Sequence, residues 1–193
     1  MEVSLVNNTL DTVVALGANL SLRSQSPEMT LERAVDAMET SGLVIRARSR
    51  FYKTPCFPAG SGPDYVNAAV LVGSELPSRS VLDILHEIEN RFGRQRQQRW
   101  GMRTLDLDMV CCGDQVSPSL KEYNHWRLLP STEQMKSAPE QLILPHPRLQ
   151  DRAFVLVPMA DILPDWTHPV LGQTVRQMLD NLPDEDISAI QPL

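Results

Sequence analysis

The chain has 193 residues, 18 basic and 24 acidic side chains for a net charge of −6, and 42% hydrophobic against 22% charged residues. That size suits one domain with a real hydrophobic core, and the balance excludes wholesale disorder. The acidic total argues against a general nucleic-acid binder or a membrane-surface protein. Its longest uncharged run, Thr12 to Leu22, and shorter ones such as Ala153 to Ala160 fall short of the roughly 18 residues that span a bilayer. The N-terminus shows no basic stretch leading into an apolar one, so a secretory signal is not expected. Cys56, Cys111 and Cys112 are odd in number and two are adjacent, which makes a poor disulfide framework and a poor zinc site. Reduced thiols in a cytoplasmic protein are the expectation.

In chain order, Thr12–Leu16 reads as a strand buried on both faces and ending at Gly17. Ser26-Pro27-Glu28 starts a helix with an N-cap and a proline at its first position, and Gly42 stops it. Leu31, Ala34, Val35 and Met38 form its apolar face. Leu43 to Thr54 reads as one long strand, and Tyr65 to Val72 as another, separated by a Gly/Pro-rich loop. A second helix starts near Ser78 or Ser80, with Val81, Leu82, Leu85 and Ile88 inward and Gly93 at its end. Thr104 to Cys111 is a fourth strand. The order β-α-β-β-α-β predicts an α+β fold of ferredoxin-like type, an antiparallel sheet with two helices on one face. Gly113 to Gln141 is polar, lacks a long apolar stripe, and reads as an insertion or lid in a single domain over 1–193. Leu142 to Pro147, an apolar segment from Ala153 to Ile162 and a helix from Gln173 to Leu182 form a C-terminal elaboration. The tail from Pro183 to Leu193 is expected to fray.

Three features carry chemistry. In Leu105-Asp106-Leu107-Asp108-Met109, a strand's period of two sends both aspartates to one face, with Cα atoms about 6.5–7 Å apart. Two carboxylates so placed can bracket a hard cation or share two. A lone Asp-x-Asp also describes an ordinary solvated strand face. The second feature is Arg91, Arg94, Arg96, Arg99 and Arg103, five guanidinium groups leading directly into those aspartates. Arginine forks match phosphate oxygens, and a metal-borne polyphosphate needs cations and carboxylates together. The third is Tyr52-Lys-Thr54-Pro55 with Tyr65-Val-Asn67, where Tyr65 and Asn67 share a strand face. A ring that stacks and an amide that pairs would suit a flat heterocycle, and would equally suit a core tyrosine beside a satisfied asparagine. His146, between two prolines, and Arg152 follow. No phosphate loop of the GxxxxGK[ST] type and no dinucleotide fingerprint is present.

With these residues in place, the chain resembles the 6-hydroxymethyl-7,8-dihydropterin pyrophosphokinase family. The resemblance runs through Ala15-Leu-Gly-Ala-Asn-Leu20, Phe51-Tyr-Lys-Thr-Pro55, Pro63-Asp-Tyr-Val-Asn-Ala68 and Gly93-Arg94-Gln-Arg96. It continues through Arg99-Trp-Gly-Met-Arg-Thr-Leu-Asp-Leu-Asp108, Leu144-Pro-His-Pro147 and Arg152-Ala-Phe-Val-Leu156. It implies transfer of the β,γ-diphosphate of ATP to the pterin hydroxymethyl oxygen, with release of AMP. It implies two Mg²⁺ ions on Asp106 and Asp108, and a monomeric or weakly associating enzyme. Arg94, Arg96, Arg99 and Arg103 would line the triphosphate path, with His146 and Arg152 nearby. Leu82, Glu89, Met109 and Leu144 would lie around the adenosine. The pterin would stack between Tyr65 and Phe154, with Thr54, Pro55, Phe57 and Asn67 completing its pocket and Trp100 closing over both ligands. Asp108 is the candidate proton acceptor.

Met102 stands where the family commonly has proline and Gly62 where it often has glutamine. Only Gln97 and Gln98 separate Arg96 from Arg99, and the segment from Gly113 to Gln141 is long. Tyr123, His125 and Trp126 within it would either cover a flank of the nucleotide site or pack on the domain edge. A nucleotidyltransferase and a non-catalytic pterin- or nucleotide-binding module are the rival readings. The first would release pyrophosphate in place of AMP. The second would bind pterin without regard to the nucleotide.

Overall fold

The structure is a computed structural model that describes residues 9–22, 24–56, 62–93, 103–130, 133 and 138–193. Chain order is β1 (Leu10–Ala18), α1 (Pro27–Thr40), β2 (Val44–Arg48), β3 (Tyr52–Thr54), β4 (Tyr65–Ser74), α2 (Ser78–Arg91) and β5 (Asp106–Cys112). Then follow α3 (Leu120–Leu128), a 3₁₀ turn at Leu149–Asp151, α4 (Ala153–Ile162), α5 (Val175–Asp180), α6 (Asp184–Ser188) and β6 (Gln191–Pro192). The sheet is antiparallel, ordered β5-β1-β4-β3-β6, with β2 also on β4. This is the ferredoxin-like arrangement expected from the element order.

Strands β1, β4 and β5 are covered over much of their length on both faces because helices lie on either side of the sheet, whereas β2 alternates exposed and half-buried residues and β6 is exposed. Val14, Leu16, Val70, Val72, Leu107 and Met109 point into a core closed by α1 and α2. Helix α1 starts as its sequence predicts: the Ser26 side chain accepts from the Met29 N–H, and Pro27 takes the first helical position. On the opposite face, Val13, Ala69, Val110 and Cys111 pack under Leu156 and Met159 of α4 and Val175 and Met178 of α5. A bulge falls on β5 at Val110, since Val13 pairs with Cys111 and Val14 with Met109. Val110 and Cys111 therefore share one face, and strict alternation ends there.

Four expectations are corrected. The long strand from Leu43 to Thr54 is two strands. Between them the Arg50 N–H donates to Asp161 Oδ2 of α4 at 3.2 Å in place of a ladder bond, and the Arg50 guanidinium reaches the same carboxylate at 3.2 and 2.8 Å. The segment after Gly113 carries helix α3, capped by Ser119, whose side chain accepts from the Glu122 N–H. Tyr123 of α3 is fully buried and 2.9 Å from His168 Nε2. Of the two fates considered for that residue, the structure has the packed one, while His125 and Trp126 lie edge to face with each other. The tail is ordered: it forms α6, and β6 pairs with β3, with the Leu193 N–H donating to the Phe51 carbonyl at 3.0 Å. The last predicted helix is shorter, Val175–Asp180, because Thr174 caps it in a reciprocal box with Gln177. No helix among the described residues is long and apolar enough to cross a membrane.

Candidate active site

The sheet register lines up one row of residues across four strands. Asp106 on β5 lies opposite Gly17 on β1, Gly17 opposite Asn67 on β4, and Asn67 opposite Tyr52 on β3. Gly17 is needed because a Cβ there would come within 2.9 Å of Asn67 Oδ1. Asn67 in turn donates to Thr54 Oγ1 at 2.7 Å, so the two polar groups are held rigid below the surface. Tyr65 stands half-buried at the start of β4 on the same face. Burial pushes its phenol pKa up, while Arg103 opposes the shift and Asp106 adds to it.

Asp106 and Asp108 emerge from that face, with Leu105, Leu107 and Met109 buried on the other. Each carboxylate has an arginine facing it. Arg103 forms an ion pair with Asp106, and both side chains are about four-fifths covered, at 23% and 19% exposure. Burial works against the Arg103 charge, yet Asp106 holds its pKa above the ordinary value. Arg152 reaches to within 4.0 Å of Asp108, whose side chain is 46% exposed. The Arg152 guanidinium also lies 5.7 Å from the ring centre of Phe154, an exposed aromatic on the first turn of α4.

His146 is fixed by backbone. Its N–H donates to the Val110 carbonyl at 2.7 Å, and its Nδ1 accepts from the Arg148 N–H at 3.1 Å. A neutral ring that accepts at Nδ1 carries its proton on Nε2, so the 3.4 Å approach of Arg152 to Nε2 is packing between two donors. Burial, with Arg152 second, drives the His146 pKa well below its usual value. The ring is a neutral donor at Nε2.

The structure brings Asp106, Asp108, Arg103 and Arg152 together, and sets Tyr65, Asn67 and Thr54 on the same sheet face. Glu89, Met109 and Leu144 are brought together elsewhere, on the α2 side of β5, and all three are buried, with Leu82 partly so. Glu89 Oε1 accepts the Leu107 N–H at 2.8 Å, which ties α2 to the strand that bears the aspartates. Pro55 follows β3 and is exposed. Arg91 sits on the last turn of α2 beside Glu87, at 3.5 Å. The expectations for Phe57, Arg94, Arg96, Arg99, Trp100 and Met102 lie outside the described residues.

Two contributors escaped sequence reasoning. Asp161, on α4, gathers Arg50 and the Tyr52 hydroxyl, the latter at 2.8 Å. Asn19, just past β1, is buried and bonded to both Pro63 and Arg103. Neither has a local pattern that announces it, although Asn19 falls within the Gly17-Ala-Asn-Leu20 stretch.

Residues 13–164 match the family model described as 7,8-dihydro-6-hydroxymethylpterin-pyrophosphokinase. The chain is 33% identical over 186 residues to a 2-amino-4-hydroxy-6-hydroxymethyldihydropteridine pyrophosphokinase of Synechocystis sp., covering 94% of this chain and 79% of that one. It is likewise 33% identical to the Pseudomonas aeruginosa protein of that name, over 92% of this chain and 94% of its relative. Among solved structures, Plasmodium falciparum HPPK-DHPS superposes with a TM-score of 0.63 at 16% identity, over 89% of this chain. The chain spans 44% of that longer protein, and the likeness at such identity speaks for the fold. With the sequence match running through the strand of paired aspartates and on into α4, the chain belongs to the 7,8-dihydro-6-hydroxymethylpterin pyrophosphokinase family.

Proposed function

We propose that the row of Asp106, Gly17 and Asn67, with the arginines beside it, is where this pyrophosphokinase joins its two substrates. The family activity is the ATP-dependent diphosphorylation of hydroxymethyldihydropterin in folate biosynthesis. The observation that carries the site assignment is the pair of Asp–Arg couples on one strand face, Asp106 with Arg103 and Asp108 with Arg152. Such couples can exchange partners. The arginines turn to phosphate oxygens as the carboxylates take up cations.

The donor set fits Mg²⁺. Among the described residues no cluster of three or more His, Cys, Asp or Glu exists. Two carboxylates on one face are the sparse protein set that Mg²⁺ takes when phosphate and water complete its shell. We assign two ions to Asp106 and Asp108, and their chemistry is to neutralise charge on the phosphate oxygens. Arg103 and Arg152 fix the triphosphate so that Pβ faces the pterin hydroxymethyl oxygen. A bond from that oxygen to Pβ forms, the bond from Pβ to the α,β-bridging oxygen breaks, and AMP leaves with its electron pair. Asp108, the more exposed carboxylate, receives the hydroxyl proton. Tyr65 and Phe154 offer the aromatic faces for the pterin, with Asn67 and Thr54 at its edge. The Nε2–H of neutral His146 serves as a donor on the nucleotide side.

Chromatography of the nucleotide released from Mg²⁺, ATP and 6-hydroxymethyl-7,8-dihydropterin tests this reading. AMP together with a diphosphorylated pterin is the expected result. ADP would make it a simple kinase, pyrophosphate a nucleotidyltransferase. Absence of a pterin-dependent product from folded protein would leave a binding module.

A further inference from the structure

Asn19 is 4% exposed and lies immediately after β1, the central strand of the site. Its carboxamide bonds to two backbone segments, one at Arg103 and one at Pro63, in addition to the direct electrostatic influence of Arg103 on Tyr65. Oδ1 accepts the Arg103 N–H at 2.8 Å, and Nδ2 donates to the Pro63 carbonyl at 3.1 Å. The orientation of the amide is fixed by chemistry: an N–H can only donate and a proline carbonyl can only accept. The backbone completes the tie, since the N–H groups of Asn19 and Leu20 both donate to the Arg103 carbonyl, at 3.0 and 3.1 Å. One planar, buried group thus clamps Arg103 on one side and Pro63 on the other.

Those two segments lead to different halves of the site. Arg103 pairs with Asp106 three residues on, on the side assigned to the triphosphate and its cations. Pro63 leads to Tyr65, on the side assigned to the pterin. A second tie, from the Cys56 thiol to the Gly62 carbonyl at 3.0 Å, holds the Pro63 segment against the end of β3. When Asp106 takes a cation and Arg103 a phosphate, the ion pair between them must rearrange. The Arg103 backbone is bonded both ways to Asn19, so the Asn19 amide carries that adjustment to Pro63.

We propose that the Asn19 carboxamide couples the two substrates energetically, as a positioning residue that makes nucleotide binding at Arg103 strengthen pterin binding at Tyr65. This rests on the two-substrate reading above. By linkage the effect is reciprocal: pterin strengthens nucleotide binding by the same factor. A purely structural Asn19 would lower both affinities and leave their ratio intact.

The test is calorimetric titration of 6-hydroxymethyl-7,8-dihydropterin, with and without saturating Mg²⁺ and α,β-methylene-ATP, on the wild type, Asn19→Ala and Asn19→Asp. The methylene bridge blocks cleavage at the bond the reaction breaks. In the wild type the nucleotide should tighten pterin binding by about tenfold or more. Asn19→Ala should cut that ratio to less than about twofold. Asn19→Asp keeps an acceptor for the Arg103 N–H but no longer donates to Pro63, so it should lose the coupling with a smaller fall in melting temperature. It also carries the test if the alanine variant does not fold. Variants that keep the wild-type ratio overturn the proposal, as does a wild type with no ratio to lose. A wild type that binds neither ligand overturns the functional reading itself, and the proposal with it.

Discussion

The two ends of one sheet face differ in what lies over them. At one end Val13, Ala69, Val110 and Cys111 are sealed beneath α4 and α5, and burial pushes the Cys111 thiol up to about 12, which makes it an inert packing group. Toward the other, the apolar cluster reaches no further than Ala15 on β1 and Ala69 on β4. The next positions along those strands are Gly17 and Asn67, and Asp106 stands beside them. The ladders run unbroken from one end to the other on β1 and β4. Coverage and side-chain chemistry make the difference, so stability and reactivity are divided along the length of the same strands. The closed end fixes the backbone, and the open end presents charge on a frame already set.

That division is broken most directly by removing a carboxylate. Asp106→Ala or Asp108→Ala should lower kcat by about three orders of magnitude, the scale of losing a charge-stabilising group. The half-exposed Asp108 should cost little melting temperature, whereas Asp106→Ala takes the ion partner of Arg103 and should cost more. Steady-state rates and thermal melts on the same samples check both, and an unchanged kcat in both variants sinks the metal assignment. The converse change is Met159→Ala beneath the closed end. A fully buried side chain there should be worth about 2–5 kcal/mol in urea unfolding, with kcat per folded molecule unaltered. A large loss of kcat at full folding would show that the two ends are not separable.

How far the sequence reveals this depends on the range of the interaction. The paired aspartates were legible because Asp106 to Met109 keeps a strict period of two, and α1 because Ser26, Pro27 and an apolar stripe are local signals. Legibility stops at Val110, where a bulge places two successive residues on one face. It stops again at Arg50, whose backbone N–H turns to a carboxylate on α4. The β6 pairing of the tail and the reach of Asn19 to Pro63 and Arg103 are likewise contacts between distant parts of the chain. Periodicity cannot encode them. The family resemblance placed Asn19 within a motif without saying what it holds.

Smaller effects sharpen the closed side of the comparison. His168 Nδ1 accepts from the Val170 and Leu171 N–H groups at 3.1 and 3.3 Å, so its Nε2–H donates to the Tyr123 oxygen. Tyr123→Phe leaves that donor buried without an acceptor, at a cost of about 1–3 kcal/mol. Chemical denaturation should register this loss while kcat stays at the wild-type value. An equal loss of kcat would move α3 into the functional half of the molecule.

The remaining effect is on pH dependence. Burial lowers the His168 pKa to about 4, against an ordinary histidine near 6.5 in the unfolded chain. Between those values the unfolded chain binds a proton that the folded chain refuses. The contribution is therefore fully present above about pH 6.5 and is lost as pH falls toward about 4. His146 is depressed in the same direction, so the wild type should lose melting temperature steadily over that window. His168→Asn keeps an acceptor for the two backbone N–H groups and removes one of the two rings whose pKa burial lowers. Its melting temperature should start lower at pH 7 and fall less steeply toward pH 4.5. An unchanged slope would mean that His168 titrates in the folded protein much as it does in the unfolded chain, and that the α3 contact does not shield it from water.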